Sequence, residues 1–268
     1  MRKDYMDVAD ADVEDETAFV ERYWSDVWKN MGGPSGAYKR VARQPEYRIM
    51  APVLNTLPQG AKMLDAGCGL GDWTLYLTEQ GFDVTGLDIS QRTVEILQEK
   101  FPQAAFACAD IRNLSIPDND LDVYFSWGVF EHFEDGLQPC ILEAWRVLKP
   151  GGYLFITVPY DSLRQALLGH FASFRKSGHS PKNLRFYQWR LTRKELATEL
   201  MRGGFEVQRV KGIHKRQGVI RALHSTFGLP YQWLFSRVLS AALAVFLPSG
   251  YFAHMQLAVA RKPLETEQ

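Results

Sequence analysis

The chain has 268 residues, 46% of them apolar or aromatic and 13% aromatic, which is enough for one large α/β domain with insertions or for two small domains. Three cysteines, odd in number and without CxxC spacing, exclude a disulfide framework and a cysteine-rich zinc site and fit a reducing cytoplasm. Formal net charge is zero, yet residues 1–30 carry nine acids against four bases, while residues 161–221 carry fourteen Lys or Arg against four acids. A basic block that dense suits an anionic partner or a solvated cationic face.

The opening MRKDYMDVADADVEDE has no apolar core of a signal peptide, and its acidic residues 1–16 are expected to fray. Residues 17–57 read as helical, with Phe19, Tyr23, Trp24 and Trp28 at helical spacing, broken by the flexible GGPSG at 32–36. Residues 1–57 are therefore expected to form an acidic tail and a helical cap, ahead of a domain over 58–262 and a short tail at 263–268.

From Lys62 short apolar runs alternate with helical stretches. KMLDAG precedes TLYLTEQG, FDVTGLD precedes QRTVEILQEKF, AAFACAD follows, LDVYFSW precedes LQPCILEAWRVLK, and YLFITVP closes the series. Uninterrupted apolar strands joined by helices predict a parallel, doubly wound, Rossmann-like sheet covered on both faces. FEVQRVKG and MQLAVARK are two further candidate strands.

Ligands of such sheets sit beyond the carboxyl ends of the strands, at the first βα turn. That turn here is MLDAGCGLGDW, with Gly67, Gly69 and Gly71. A dinucleotide fingerprint requires glycine where Asp72 stands, and a carboxylate at a helix start repels a pyrophosphate. No Gly-Lys-Ser/Thr follows, so a P-loop is excluded too. The loop is suited to a ligand without phosphates. Asp65, Asp88 and Asp110 each lie at a strand end, where carboxylates accept hydrogen bonds from ribose hydroxyls or an exocyclic amine and favour positive charge.

Taken together and in order, LDAGCGLG, GLDIS, CADIRNL, FEHF and VLKPGGYLFITVP resemble the class I S-adenosylmethionine-dependent methyltransferases. The resemblance spans about 62–159, and GFEV and MQLAVARK resemble that family's last two strands. It implies a seven-stranded sheet whose last strand runs antiparallel, and S-adenosyl-L-methionine as cofactor. By position it implies Gly67, Gly69 and Gly71 along the methionine moiety with Asp65 supporting the loop, Asp88 on the ribose with Ile89 against adenine, and Asp110 on the adenine amine beside Ile111. Ser126 and Trp127 fall near the transferable methyl, and Tyr23, Trp24 and Trp28 become candidates for a lid. His132 is the candidate catalytic base, an imidazole being suited to deprotonating a hydroxyl acceptor, with a structural role as the alternative. Glu131 is read as a helix cap. No metal-ligand spacing occurs.

Two segments outside the core bear on the acceptor. Residues 160–196 mix Lys and Arg with Phe171, Phe174, Phe186, Tyr187 and Trp189, suited to single-stranded nucleic acid or to an anionic small molecule. Residues 213–252 hold the longest apolar run, Val238 to Leu247, too short to span a bilayer. Both insertions are expected to be helical, and the second to be either a lid over the acceptor pocket or, through 231–252, a peripheral contact with the inner face of a membrane. The expected acceptor is a small hydrophobic or amphiphilic molecule, lipid-like, anionic or lipid-linked. The alternatives are an RNA or protein methyltransferase using the basic 160–221 segment, against which no Asn-Pro-Pro-Tyr-type tetrapeptide follows LDVYFSW, and a non-catalytic cofactor-binding protein.

Overall fold

The computed structural model describes residues 1–7, 15–34, 36–162 and 184–264. Its centre is a seven-stranded sheet made of β2 (Lys62–Ala66), β3 (Asp83–Asp88), β4 (Ala105–Cys108), β5 (Leu121–Trp127), β6 (Leu148–Pro159), β8 (Glu206–Ile213) and β9 (Met255–Arg261). The strand order is β4-β3-β2-β5-β6-β9-β8. All neighbours from β4 to β6 run parallel, and β9 runs antiparallel to both β6 and β8. The sheet expected from the alternation of runs is present, and its last strand is antiparallel.

Burial on both faces explains the uninterrupted apolar runs, because successive side chains of one strand point to opposite faces. On β5, Tyr124 joins one core while Val123 and Phe125 join the other; on β9, Ala258 and Ala260 divide from Leu257 and Val259 in the same way. One face is covered by α5 (Gln138–Val147) and α6 (Arg193–Arg202) through Ile141, Ala144, Leu196 and Leu200. The other is covered by α2 (Pro45–Leu54) and α3 (Asp72–Glu79) through Met50, Leu54, Trp73 and Leu77. Starts are set locally. Ser90 caps α4 (Gln91–Lys100) by accepting from the Thr93 N–H, and Thr192 and Glu195 form a reciprocal capping box on α6.

One expectation fails. Arg2–Asp7, read as a frayed acidic tail, is strand β1, paired antiparallel with β7 (Leu184–Arg190). The pairing is held by side chains that local sequence cannot reveal. Asp4 accepts from Gln188 and Arg190, Tyr5 meets Phe186 edge-on, and the Lys3 ammonium lies over the Phe186 and Trp189 rings. The uneven charge is therefore partly matched within the chain, Asp4 near the beginning meeting Arg190 of the 161–221 block. Of that block, residues 163–183 lie outside the described residues, so most of the predicted 160–196 segment goes undescribed.

The insertion forms a helical hairpin of α7 (Lys215–Phe227) and α8 (Leu234–Phe246), followed by the short α9 (Ser249–Phe252). No helix among the described residues is long and apolar enough to cross a membrane.

Candidate functional site

At the carboxyl ends of β2, β3 and β5 lies a part-open cavity of about 620 Å³, the open solvent at its mouth included. Its floor is the loop after β2. The Gly67 and Cys68 N–H groups both donate to the Leu87 carbonyl, at 2.8 and 2.7 Å, which ties the loop to the end of β3. Gly67 has φ +86°, and a Cβ there would stand 2.3 Å from a Val129 methyl, so only glycine lets the chain pass at this point. Asp88 is buried and accepts from the Gly69 N–H (2.9 Å) and the Ser90 N–H (3.0 Å), while burial pushes its carboxyl up. Beneath the loop, Asp65 accepts from the Thr74 hydroxyl at 2.8 Å, and the Ser126 hydroxyl donates to the Ala66 carbonyl at 2.6 Å. Burial raises Asp65 to about 7.

The walls are apolar. Val20, Trp24 and Trp28 recur every fourth residue and so share one face of α1 (Glu16–Asn30), which closes one side. Trp127, Val129 and Phe133 from the end of β5 and the loop beyond it, with Ile89, Ala109 and Ile111, complete the cavity. The structure thus brings Trp24, Trp28, Gly67, Asp88, Ile89, Ile111, Trp127 and His132 to one cavity. Gly69 lies under Trp28, whose ring would be 2.9 Å from a Cβ. Val20, Ala109, Gly128, Val129 and Phe133 were missed by the sequence reading. The signal for Val20 was the four-residue spacing of α1 and for Gly128, Val129 and Phe133 the GVFEHF segment after β5, while Ala109 carried none of its own.

Five expected residues lie outside the cavity lining. Gly71 caps α3 and faces Leu97 and Phe106 in the core, because the loop has already turned into the helix. Ser126 and Asp65 act under the loop, as described. Tyr23 stands one position off the cavity-facing row of α1 and packs on Phe19, Trp24 and Tyr187. Asp110 does not line the cavity: Arg112, two residues on, folds back and donates to its carboxylate from Nε, Nη2 and the backbone N–H. The same guanidinium donates to Glu16 and Thr17 at the start of α1, both at 3.0 Å. With the lone pairs of Asp110 occupied in this way, Ile111 and Ala109 are the residues that reach the cavity from this strand end.

His132 is buried against Trp24 and Tyr187. Its Nδ1 lies 2.7 Å from the Tyr187 carbonyl, which can only accept, so Nδ1 carries the proton and Nε2 keeps its lone pair. Burial lowers its basicity to about 4, so the ring is neutral near pH 7. Glu131 caps no helix, contrary to expectation. It is buried with Oε2 unpartnered, and loss of solvation raises it to about 8 against an opposing pull from Arg190.

These shifts have a pH signature. Between pH 4.5 and about 8 the folded state keeps a proton on Glu131 that the unfolded chain releases, and Asp65 does the same from 3.8 to about 7. Both make stability fall as pH rises through those windows. His132 acts oppositely, but only between about 4 and 6.5. The urea midpoint of the ligand-free protein is therefore expected to fall from pH 6.5 to pH 8, and Glu131→Gln to remove most of that fall. A midpoint that is flat over this interval in the parent chain would contradict the buried, protonated Glu131.

The residues present fit S-adenosylmethionine on grounds internal to the structure. A glycine floor offers close backbone approach, and a buried carboxylate lies at the end of β3. The indole N–H groups of two cavity-lining residues, Trp28 and Trp127, are buried without a protein partner, an unmet demand of the kind that accompanies a binding site.

Residues 64–156 match the family model described as "Methyltransferase domain". Curated relatives include a probable S-adenosylmethionine-dependent methyltransferase of Mycolicibacterium smegmatis, 29% identical over 60% of this chain and 58% of the relative. The 2-methyl-6-phytyl-1,4-hydroquinone methyltransferase of Synechocystis is 36% identical over 53% of this chain and 47% of its own length. The malonyl-[acyl-carrier protein] O-methyltransferase of Pectobacterium atrosepticum is 31% identical over 50% and 53%. The matches thus span about half the length of these relatives. Among solved structures, a SAM-dependent methyltransferase from Methanosarcina mazei superposes with a TM-score of 0.55 at 22% identity, over 80% of this chain and 98% of that one. Haemonchus contortus phosphoethanolamine N-methyltransferase 2, in complex with S-adenosyl-L-methionine, gives 0.59 at 17% identity, over 94% and 61%. At these identities the superpositions speak to the fold.

Proposed function

We propose, on the premise that residues 64–156 belong to the class I S-adenosylmethionine-dependent methyltransferases, that this chain methylates a small hydrophobic or amphiphilic acceptor. The observation that carries the acceptor class is the cavity wall: beside the glycine floor and Asp88, it is built from Trp24, Trp28, Trp127, Val20, Val129 and Phe133. Such a wall gains by burying apolar acceptor surface and by excluding water from the reacting atoms.

When bound, the cofactor supplies an already activated methyl group on a sulfonium, open to in-line displacement by a nucleophile. The protein's own work is then placement. Asp88 would accept from the ribose hydroxyls, Ile89 and Ile111 would flank the adenine, and Gly67 would allow the backbone to approach the methionine moiety. His132, with Nδ1–H fixed on the Tyr187 carbonyl, offers Nε2 as a hydrogen-bond acceptor for the nucleophile. A basicity lowered to about 4 makes it a poor store for a proton at neutral pH, so it orients better than it deprotonates. This favours acceptors already nucleophilic at working pH that carry an O–H or N–H for Nε2 to accept, electron-rich phenolic rings among them. The relative named for a hydroquinone is of that kind. An amphiphilic acceptor would be met at a membrane face, and the exposed apolar side chains from Tyr231 to Phe246 are the part of the chain suited to such contact.

The RNA or protein alternative has less support. Of the described bases, Arg190 is paired with Asp4, and Arg185 lies over the Phe19 ring and donates to the Asp15 carbonyl, while the exposed Arg216 and Arg221 stand on a hairpin that does not line the cavity. The deciding experiment uses methyl-labelled S-adenosylmethionine with the purified chain and cell extract, the products being partitioned between organic solvent, water and acid precipitate. Label is expected in the organic phase. Label in the precipitate would transfer the assignment to nucleic acid or protein, and cofactor binding without transfer to any fraction would mark a non-catalytic binder.

A further inference from the structure

Helix α8 is inside out. The residues it buries are Ser236, Ser240 and Ala244, at a spacing of four, with Leu239 and Leu243 half-buried beside them, while its other large apolar residues face outward. Phe246 is 86% exposed, Leu234 74% and Val245 72%, with Phe235, Val238, Trp233 and Phe227 beside them on the same hairpin. A helix in water puts its apolar stripe inward and its polar face outward. Small residues at a helix–helix contact with large apolar residues outside is the arrangement of helices whose surroundings are themselves apolar. The hairpin has its own small core, in which Val219 and Leu223 of α7 meet Ala244, Leu239 and Leu243. The outward residues are therefore surplus to its folding, and a patch of this extent on a monomer marks an interaction surface.

Charge decides what covers it. From Val207 to Leu264 the sequence contains eight Lys or Arg and no Asp or Glu. Arg216, Arg221 and Arg237 are exposed on α7 and α8, and no carboxylate among the described residues pairs with them. A second copy of the chain would bring like charges together, whereas an anionic lipid surface offers both an apolar layer and opposite charge. Length excludes a span: thirteen helical residues cover about 20 Å against a hydrocarbon core of about 30 Å.

We propose that the α7–α8 hairpin docks this chain on an anionic phospholipid surface, with Trp233, Leu234, Phe235, Val238, Val245 and Phe246 inserted among the acyl chains and Arg216, Arg221 and Arg237 at the headgroups. Its placement serves the cavity. The hairpin leaves the sheet at the carboxyl end of β8 and returns at Met255, the first residue of β9, which pairs with Pro159 at the carboxyl end of β6. This is the sheet edge that carries the cavity, and the Met255 Cε is 3.7 Å from where a Cβ on the cavity-lining Gly128 would stand. No residue of 213–252 lines the cavity itself, so the hairpin is an anchor beside the site rather than the lid that was the other expectation. The inference deepens the proposed contact with an amphiphilic acceptor but is read without turnover.

The full chain is mixed with vesicles of equal parts phosphatidylcholine and phosphatidylglycerol, or of phosphatidylcholine alone, and sedimented at low and high salt. Binding is expected on the anionic vesicles and reduced by salt. Leu234→Ser/Phe235→Ser/Phe246→Ser, all at exposed positions, is expected to lower the partition coefficient at least about tenfold with an unchanged thermal melt. Arg216→Gln/Arg221→Gln is expected to weaken binding severalfold on anionic vesicles alone. A parent chain that stays in the supernatant with anionic vesicles, or a triple variant that binds as the parent does, would overturn the assignment. So would a dimer in sedimentation equilibrium that the triple substitution dissociates while neither form binds vesicles, which would assign the face to a second copy. Failure of methyl transfer in the labelling experiment leaves this readout untouched, and the reverse holds equally.

Discussion

Replacing Asp88 with alanine is expected to weaken S-adenosylmethionine binding by well over about tenfold, more than about 1.4 kcal/mol. The carboxylate is buried, and in the free protein it accepts from the Gly69 and Ser90 N–H groups. A carboxylate has about four lone-pair sites, so two remain for a diol. Alanine removes those sites and also leaves two loop N–H groups without their acceptor, so the floor of the cavity loosens as well. Asp88→Asn separates the two effects, because it keeps one acceptor oxygen and the side-chain volume. Calorimetry with the cofactor, alongside a thermal melt of the free protein, reads affinity and stability independently. Affinity unchanged in Asp88→Ala would remove the ribose assignment.

The second large effect belongs to Gly67. Gly67→Ala places a methyl 2.3 Å from Val129 Cγ2 at a residue with φ +86°. Backbone strain and overpacking together are expected to cost on the order of 2–4 kcal/mol of stability, with cofactor affinity falling in parallel because the loop floors the cavity. Val129→Ala in the same chain relieves the clash but not the strain. The double variant is therefore expected to recover part of the loss in a denaturant titration, and additive losses would show that the two residues do not meet. Val129 also lines the cavity, so this pair links the geometry of the glycine loop to the shape of the site.

The parallel sheet was legible because strands such as LDVYFSW and YLFITVP are apolar at consecutive positions, a pattern that only two-sided burial explains. The ligand class was legible at Asp72, where a phosphate-binding loop has no carboxylate. The failures are contacts of long range or of side-chain direction. RKDYMD reads as a charged tail until Gln188 and Arg190 are seen beside Asp4. ADIR shows an acid and a base two residues apart, but not that the guanidinium closes on Asp110 and reaches Glu16 as well. Gly69 and Gly71 are alike in sequence, yet one lies under Trp28 and the other against Leu97 and Phe106, since the loop turns into a helix between them. The apolar run at 238–247 announced a helix. Which way its large residues face depended on Ser236, Ser240 and Ala244 being the ones that fit against α7.

The pairing of β1 with β7 orders events during synthesis. Lys62 to Pro159 carries strands β2 to β6 and the glycine loop, and the helices between them can close on those strands as they emerge. Arg2–Asp7 has no partner until Leu184–Arg190 has been made. At ~5–20 residues per second that is a delay on the order of ten seconds or more. Helix α1, which follows β1, meets Ser90, Arg112 and His132 before then, but its Phe19 and Tyr23 also rest on Arg185 and Tyr187 of β7. The aromatic wall therefore gains its full backing only when β7 has emerged.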